Sequence, residues 1–300
     1  MSEKIQTASK EDLKTSTLTE FINAVTNYAG SNRSFNCYRG QKKSDWNNIP
    51  GLFRPDLSSL EENEKRAIRD LISVHPHEFS ADQTMFDRLF RMQHFGLPTR
   101  LMDVSQNPLV ALYFATDLDA DGSVSDGAVT AFSVPPEREK YYDSDSVSCI
   151  ANLANMTKEE KSSIIELFQD IIDGKEGVAN NIDDINNNEV IKRLNQFIKS
   201  EKPYFLPILE LFDLFKPYYV HPKMSNRRIL SQAGGFIIHG LMPPLQIIYT
   251  NEIKETKFVI PLESKKSLRS DLELLGVNES TLFPELDKAA KRIQSNYTRK

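Results

Sequence analysis

Apolar residues fall along the chain in short periodic runs separated by turn residues, and the period changes from run to run. Leu18, Phe21, Ile22 and Val25 recur on one helical face behind Thr17 and Glu20, a capping-box pair, which predicts a helix over about 17–29. After "GSNRS", Phe35, Cys37 and Arg39 alternate with Asn36 and Tyr38 in the period of a strand. The next stretch, "GQKKSDWNNIPGLFRP", has the composition of a loop, yet Trp46, Leu52 and Phe53 give it enough apolar area to be pinned onto a core. Helices are predicted over about 59–79 and 82–95, the second closed by Gly96 and Pro98. Asn107 before Pro108 has the form of an N-cap with proline in the first turn, opening the apolar helix "PLVALYFAT". "AVTAFSV" is the clearest strand of the first half.

From about 140 to 205 the pattern shifts to amphipathic helices, "MTKEEKSSIIELFQDIID" and "NEVIKRLNQFIK", around a polar middle, "GKEGVANNIDDINNN". Three β-prone runs follow, "GGFIIHG", "LQIIYT" and "TKFVIP", and then helices over about 263–275 and 284–294, the second opened by Pro284. Helices cluster early and strands late, so the expected class is α+β rather than a doubly wound sheet. The expected organisation is one domain over 1–300, with a core of about 17–139 and 206–294 and a helical insertion at 140–205.

The chain has 300 residues, 39% of them hydrophobic and 26% charged, enough for one sizeable core. A net charge of -5 argues against nucleic-acid binding by bulk electrostatics, so any phosphate recognition has to be local. Two cysteines, Cys37 and Cys149, make neither a disulfide framework nor a four-ligand zinc site, which fits half-buried thiols in a reducing cytoplasm. The first residues lack the apolar stretch of a secretory signal and no run reaches transmembrane length; a cytoplasmic protein without a membrane partner is expected. Phosphate-loop, dinucleotide and nucleophile-elbow patterns are missing, and "HPHEF" reads as a helix end, so no metal is expected.

Polar groups that could carry chemistry concentrate in three blocks. In "YRGQ", Arg39 ends an inner strand, where a guanidinium is costly to bury unless its donors meet a carboxylate, carbonyls or a phosphate; Gly40 permits close approach of a ligand or of another backbone. A structural ion pair and a ligand contact remain open for Arg39. In "RMQHFGLPTRLMDVSQNPLVALYFATD", His94, Thr99, Arg100, Asp103, Ser105 and Asn107 interrupt an apolar context; Asp103 is a partner for Arg39 or Arg100, and Ser105 or Asn107 caps the next helix. In "NRRILSQAGGFIIHG", Arg228 and Gln232 precede a glycine pair that allows a bulge or close packing. A fourth block, "STLFPELDKAA", reads as packing around a helix start.

These blocks resemble the FRG domain family, named for a Phe/Tyr-Arg-Gly signature. "YRGQ" stands for the signature, "QHFGLPTRLMDVSQNPLVALYFA" resembles the family's most recognisable stretch, "RILSQAGGFIIH" its third block and "TLFPELDKAA" its end. A weaker resemblance is to ADP-ribosyltransferases of the arginine-serine-glutamate type, whose first strand also ends in Tyr-Arg-Gly and whose Ser-Thr-Ser strand is similar to "DVSQNPLVALYFA", with Asp103, Val104 and Ser105 in the triplet's place.

The resemblance implies a transferase-like mixed or antiparallel sheet with flanking helices, using NAD as substrate. Arg39, Asp103, Ser105 and Gln232 would form the catalytic group, and Tyr38, Gly40, Gln41, His94, Thr99, Arg100, Asn107 and Arg228 would contact the nucleotide. It implies a macromolecular acceptor, protein or nucleic acid, and, by analogy with transferase toxins, a bacterial toxin or phage-defence role; the helical insertion at 140–205 lies outside the resemblance and is a candidate surface for a protein partner. The sequence departs from that pattern where the transferases place a glutamate before a late strand: "NRRILSQAGGF" offers Arg228 and Gln232 and no acid. Gln232 can hydrogen-bond but brings no negative charge, which leaves Asp103 as its substitute. The alternative reading is a non-catalytic module binding a nucleotide, RNA or protein in the same cleft.

Overall fold

A computed structural model describes residues 13–31, 34–118, 125–175, 177, 181–224, 227–242 and 251–284. In chain order the elements are β1 (Leu13–Lys14), α1 (Leu18–Ser31), β2 (Phe35–Gln41), α2 (Ser58–Glu62), α3 (Glu64–Val74), α4 (Met85–His94), β3 (Leu101–Ser105), α5 (Pro108–Ala115), β4 (Gly127–Val134) and β5 (Glu139–Tyr141). They continue with α6 (Asp145–Asn152), α7 (Lys158–Ile172), α8 (Ile182–Asn187), α9 (Glu189–Glu201), β6 (Tyr218–His221), α10 (Arg227–Ser231), β7 (Gly234–Ile238), β8 (Lys254–Ile260), α11 (Leu262–Leu274) and α12 (Glu279–Leu282).

The described strands form one eight-stranded mixed sheet in the order β1-β8-β4-β2-β3-β7-β6-β5. Its outermost pairs, β1–β8 and β5–β6, are parallel, and the pairs between them are antiparallel. The class is therefore α+β, as the pattern of runs implies.

Local signals decide where several helices begin. The Thr17 hydroxyl accepts from the Glu20 amide at 3.2 Å, and a Glu20 carboxylate oxygen accepts from the Thr17 amide at 3.3 Å, the reciprocal pair expected of a capping box. Asn107 caps α5 through its side-chain oxygen, which accepts from the Leu109 amide at 2.9 Å. The single helix expected over 59–79 is instead α2, α3 and a 3-10 turn at Pro76–Phe79. One break falls at Asn63, whose backbone leaves the helical region, and the other at His75, which precedes proline. β5 and β6, three and four residues long, are too short to show a period and were not expected. The run "LQIIYT" and the helix beyond Pro284 lie outside the described residues.

Two large apolar cores lie side by side on one face of the sheet. Against β3, β6 and β7, residues Leu101, Val220, Phe236 and Ile238 pack with Leu89 of α4, Ile150 of α6, Ile164 of α7 and Leu194 of α9. Against β2, β4 and β8, residues Tyr38, Val129, Ala131 and Phe258 pack with Phe21 of α1, Leu112 of α5 and Leu268 of α11. On the opposite face a smaller cluster of Cys37, Met102, Val104, Phe132, Tyr219 and Ile237 spans both halves.

The join between the halves is narrow. β2 runs in register with β4 from Phe35↔Val134 to Gln41↔Ala128, and β3 with β7 from Leu101↔Ile238 to Ser105↔Gly234. β2 and β3 share only Tyr38↔Ser105 and then diverge. Helix α5 is laid directly on β2 beside this split. A Cβ at Gly40 would collide with the carbonyl of Ala111, so the close approach that this glycine permits is that of a helix backbone.

Candidate functional site

A cleft of about 190 Å³ opens where β2 and β3 part, lined by Tyr38, Arg39, Gly40, Asp103, Val104, Ser105, Val110, Phe114, Arg228 and Gln232. A second hollow of about 90 Å³ shares Asp103, Val104, Arg228 and Gln232 and adds Phe90, Gln93, His94 and Phe236 among its walls. The three polar blocks of the sequence thus meet at one place. The divergence of two strands is what makes room for them.

Arg39 bridges that divergence. Its Nη1 donates to the backbone carbonyl of Asp103 at 2.7 Å, taking the place of a ladder bond that the separated strands cannot make. Its Nε is buried and has no hydrogen-bond partner among the described residues. Burial pushes the Arg39 pKa down; Asp103 pulls it up, and the charge of Arg54 pushes it down again. The guanidinium as a whole is half-buried, with one carbonyl as its hydrogen-bond partner among the described residues.

Asp103 does not pair with either arginine through its carboxylate. Oδ2 accepts from Gln93 Nε2 at 2.8 Å, and the same amide nitrogen donates to the Leu101 carbonyl at 3.1 Å. Gln93 Oε1 accepts from the Thr99 amide at 3.2 Å and from its hydroxyl at 2.8 Å. Both ends of the Gln93 amide are therefore committed: turning it over would set donors against donors and acceptors against acceptors. Thr99 acts on the cleft through Gln93 and is itself buried.

Ser105 and Gln232 tie the cleft's back wall. The Ser105 hydroxyl donates to the Gln232 carbonyl at 2.7 Å and accepts from the Asn107 amide at 2.9 Å, while Gln232 Nε2 donates to the Leu282 carbonyl at 3.0 Å. Between Gln232 and β7, Ala233 holds a left-handed φ of 45°, strained for a residue with a Cβ, and its carbonyl accepts from the Gln106 amide at 2.9 Å. Of the glycine pair, Gly235 is the one that packing requires, because the Tyr219 ring lies where its Cβ would be.

The fourth sequence block also reaches the cleft margin. The Arg228 guanidinium lies 4.9 Å from the centre of the Phe283 ring, and Phe283 meets Phe114 edge-on at 6.0 Å.

Other predicted residues are placed elsewhere. Arg100 is 1% exposed and bonds both oxygens of Glu64, at 2.9 and 2.6 Å, and the carbonyls of His239 and Gly240 at 3.1 and 3.3 Å. Its carboxylate partner is thus Glu64, shared with Lys161 at 2.9 Å, and not Asp103. Burial raises the Glu64 pKa, but Arg100 and Lys161 outweigh it and hold the carboxyl below its ordinary value. Gln41 is buried and donates to the Asn47 carbonyl at 3.2 Å, away from the cleft lining. Asn107 serves as the α5 cap. His94 lines the smaller hollow, its ring edge-on to Phe95 at 5.2 Å.

Sequence reading missed Gln93, Phe114 and Phe283. Gln93 stands one position before His94 in the quoted middle block, and only the fold shows that it spans from Thr99 to Asp103. Among the described residues no group of three or more His, Cys, Asp or Glu could hold a metal ion, and no helix is long and apolar enough to cross a membrane.

The fold and site define an α+β protein with a split central strand pair and an arginine-centred polar cleft at the split. Residues 34–123 match the model of the FRG domain, and the chain carries an FRG domain there. That stretch holds "YRGQ" and the whole middle block, hence Arg39, Gln93, Asp103 and Ser105. Neither curated proteins nor solved structures gave a match to the chain.

Proposed function

We propose that the cleft binds an NAD-type dinucleotide and that the protein is an ADP-ribosyltransferase-like enzyme acting on a macromolecular acceptor. One observation carries the reading: Arg39, half-buried and with a buried Nε that has no partner among the described residues, lines the same cleft as Arg228 and the carboxylate-bearing Asp103. Two guanidinium groups suit a pyrophosphate, and a carboxylate beside them suits a ribose hydroxyl and the positive charge that grows on its anomeric carbon. At about 190 and 90 Å³ the two hollows are smaller than the ~300–1,000 Å³ usual for a whole ligand. They fit one half of a dinucleotide, the other half lying outside.

When bound, NAD would supply the reactive bond between the ribose and nicotinamide, which leaves with the bonding electron pair as the acceptor's nucleophile attaches to the same carbon. Arg39 and Arg228 hold the phosphates. Gln93 fixes the Asp103 carboxylate so that Oδ1, which takes no hydrogen bond from the described residues, is directed to binding and charge stabilisation. Ser105 and Gln232 keep the back wall in place through the bond between them.

A second reading, nucleotide binding without transfer, draws on Gln232. Its amide is already bonded to the Leu282 carbonyl, and Asp103 is the one carboxylate in the cleft lining among the described residues.

Calorimetric titration with NAD, followed by incubation with labelled NAD and cell lysate, tests both readings. Wild-type protein should bind and label an acceptor. Arg39→Ala should lose binding, Arg39→Lys should recover part of it, and Asp103→Asn should bind but not label. Binding without labelling selects the second reading, and no binding by the wild type sinks both.

A further inference from the structure

The loop after β2 carries the chain's single tryptophan, and the cleft makes no use of it. Trp46 is 37% exposed. Its loop is tied down along its length. Lys265 Nζ donates to the Lys42 carbonyl at 2.7 Å, Lys257 Nζ to the Ser44 carbonyl at 2.9 Å, and Asn48 Nδ2 to Thr130 Oγ1 at 3.1 Å and Glu255 Oε2 at 2.9 Å. The Ser44 amide donates to the Asp126 carbonyl at 2.8 Å. A large ring kept at the surface by a loop held this firmly is pre-organised to be met by something else.

Cations gather about the ring. Lys42 Nζ lies 5.6 Å from its centre, Lys43 Nζ 6.0 Å and the Arg54 guanidinium 5.8 Å. Beside it is a hollow of about 310 Å³, lined by Asp45, Trp46, Asn47, Ile49, Arg54, Pro55 and Asp56. The hollow therefore offers an aromatic platform, a cationic margin, and acceptors in Asp45, Asn47 and Asp56.

The geometry points to a nucleotide site here, with the base stacked on Trp46, the phosphate on Lys42, Lys43 and Arg54, and the exocyclic amine of the base facing the acceptors. An inorganic anion would leave the ring and the carboxylates without a role. An acidic peptide would bring its own carboxylates against Asp45 and Asp56. The nucleotide is either free or a unit of a single strand, and in the second case the site is where a nucleic-acid acceptor docks. Arg54 lies near enough for its charge to act on Arg39, although the two hollows share no lining residue. The site does not depend on the cleft's being an NAD site.

Trp46 reports on its own occupancy, since no other indole is present. The full chain is titrated with AMP and with a ten-residue oligoadenylate while Trp46 emission is followed. Saturable quenching is expected, and tighter binding of the oligoadenylate identifies a strand while equal binding per nucleotide identifies a free nucleotide. Measured by anisotropy of labelled oligoadenylate or by calorimetry with AMP, Trp46→Ala should weaken binding at least tenfold and Trp46→Phe much less, as expected for a stacked base. Lys42→Gln with Arg54→Gln should weaken it and flatten its salt dependence. Quenching that persists in Arg39→Ala separates this site from the cleft. The inference is overturned if neither probe quenches Trp46 up to millimolar concentration, or if Trp46→Ala melts normally and binds both probes as the wild type does.

Discussion

Arg39 lies on β2 and Arg100 just ahead of β3, neighbouring strands of the same sheet, and the chain treats them in opposite ways. Arg100 meets both oxygens of Glu64 and two carbonyls, and Lys161 completes the neutralisation of that carboxylate. Among the described residues Arg39 meets one carbonyl and keeps a buried Nε without a partner. A buried guanidinium matched from within is part of the scaffold, whereas one left partly unmatched at an open cleft carries a cost that a ligand can offset.

The largest effect should come from breaking the matched side. Glu64→Ala leaves Arg100 and Lys161 buried without their carboxylate and should cost about 3–5 kcal/mol in urea denaturation. A loss under about 1 kcal/mol would mean that the carbonyls of His239 and Gly240 suffice, and the contrast would fail.

Next comes pH. Burial, then the charges of Arg100 and Arg39, lower the His239 pKa to about 4, so the folded protein holds this ring neutral between two cations. The unfolded ring takes up its proton near the ordinary value of about 6.5, before the folded one does. The stabilising contribution is therefore full above about pH 6.5 and is lost as pH falls toward 4, on the order of 2–3 kcal/mol. Glu64, whose folded pKa is lowered, adds a loss in the same direction below the ordinary glutamate range. Urea midpoints at pH 7, 5.5 and 4.5 should show the decline, and His239→Gln should flatten its upper part.

Arg39→Ala should cost less than about 1.5 kcal/mol, the scale of one hydrogen bond, while weakening NAD binding at least tenfold. Equal damage from Arg39→Ala and Glu64→Ala would make Arg39 structural. The smallest effect belongs to the cleft rim, where Ala233→Gly relieves a left-handed backbone and should raise stability by up to about 1 kcal/mol in thermal melts.

What the sequence showed depended on how far apart the partners are. Thr17 with Glu20 and Asn107 with Pro108 are local signals, and both marked helix starts correctly. Glu64 pairs with Arg100 across 36 positions, and no periodicity could have joined them; the sequence left Asp103 as the visible candidate. Gly40 was legible as a point of close approach, but that α5 makes the approach follows only from the folded chain. Gln93 was hidden for another reason: on a helix it looks like surface, and its four hydrogen bonds appear only once β3 lies beside α4.

The single residue pair that joins β2 to β3 has a mechanical consequence. One half-sheet, β1-β8-β4-β2, carries Arg39, and the other, β3-β7-β6-β5, carries Asp103 and is entered through Gln232. A molecule gripped from both banks acts as a staple across the weakest line of the sheet. Its binding should slow amide hydrogen exchange in the facing edges of β2 and β3 more than in the outer strands, and the cleft's width becomes a variable that the ligand itself sets.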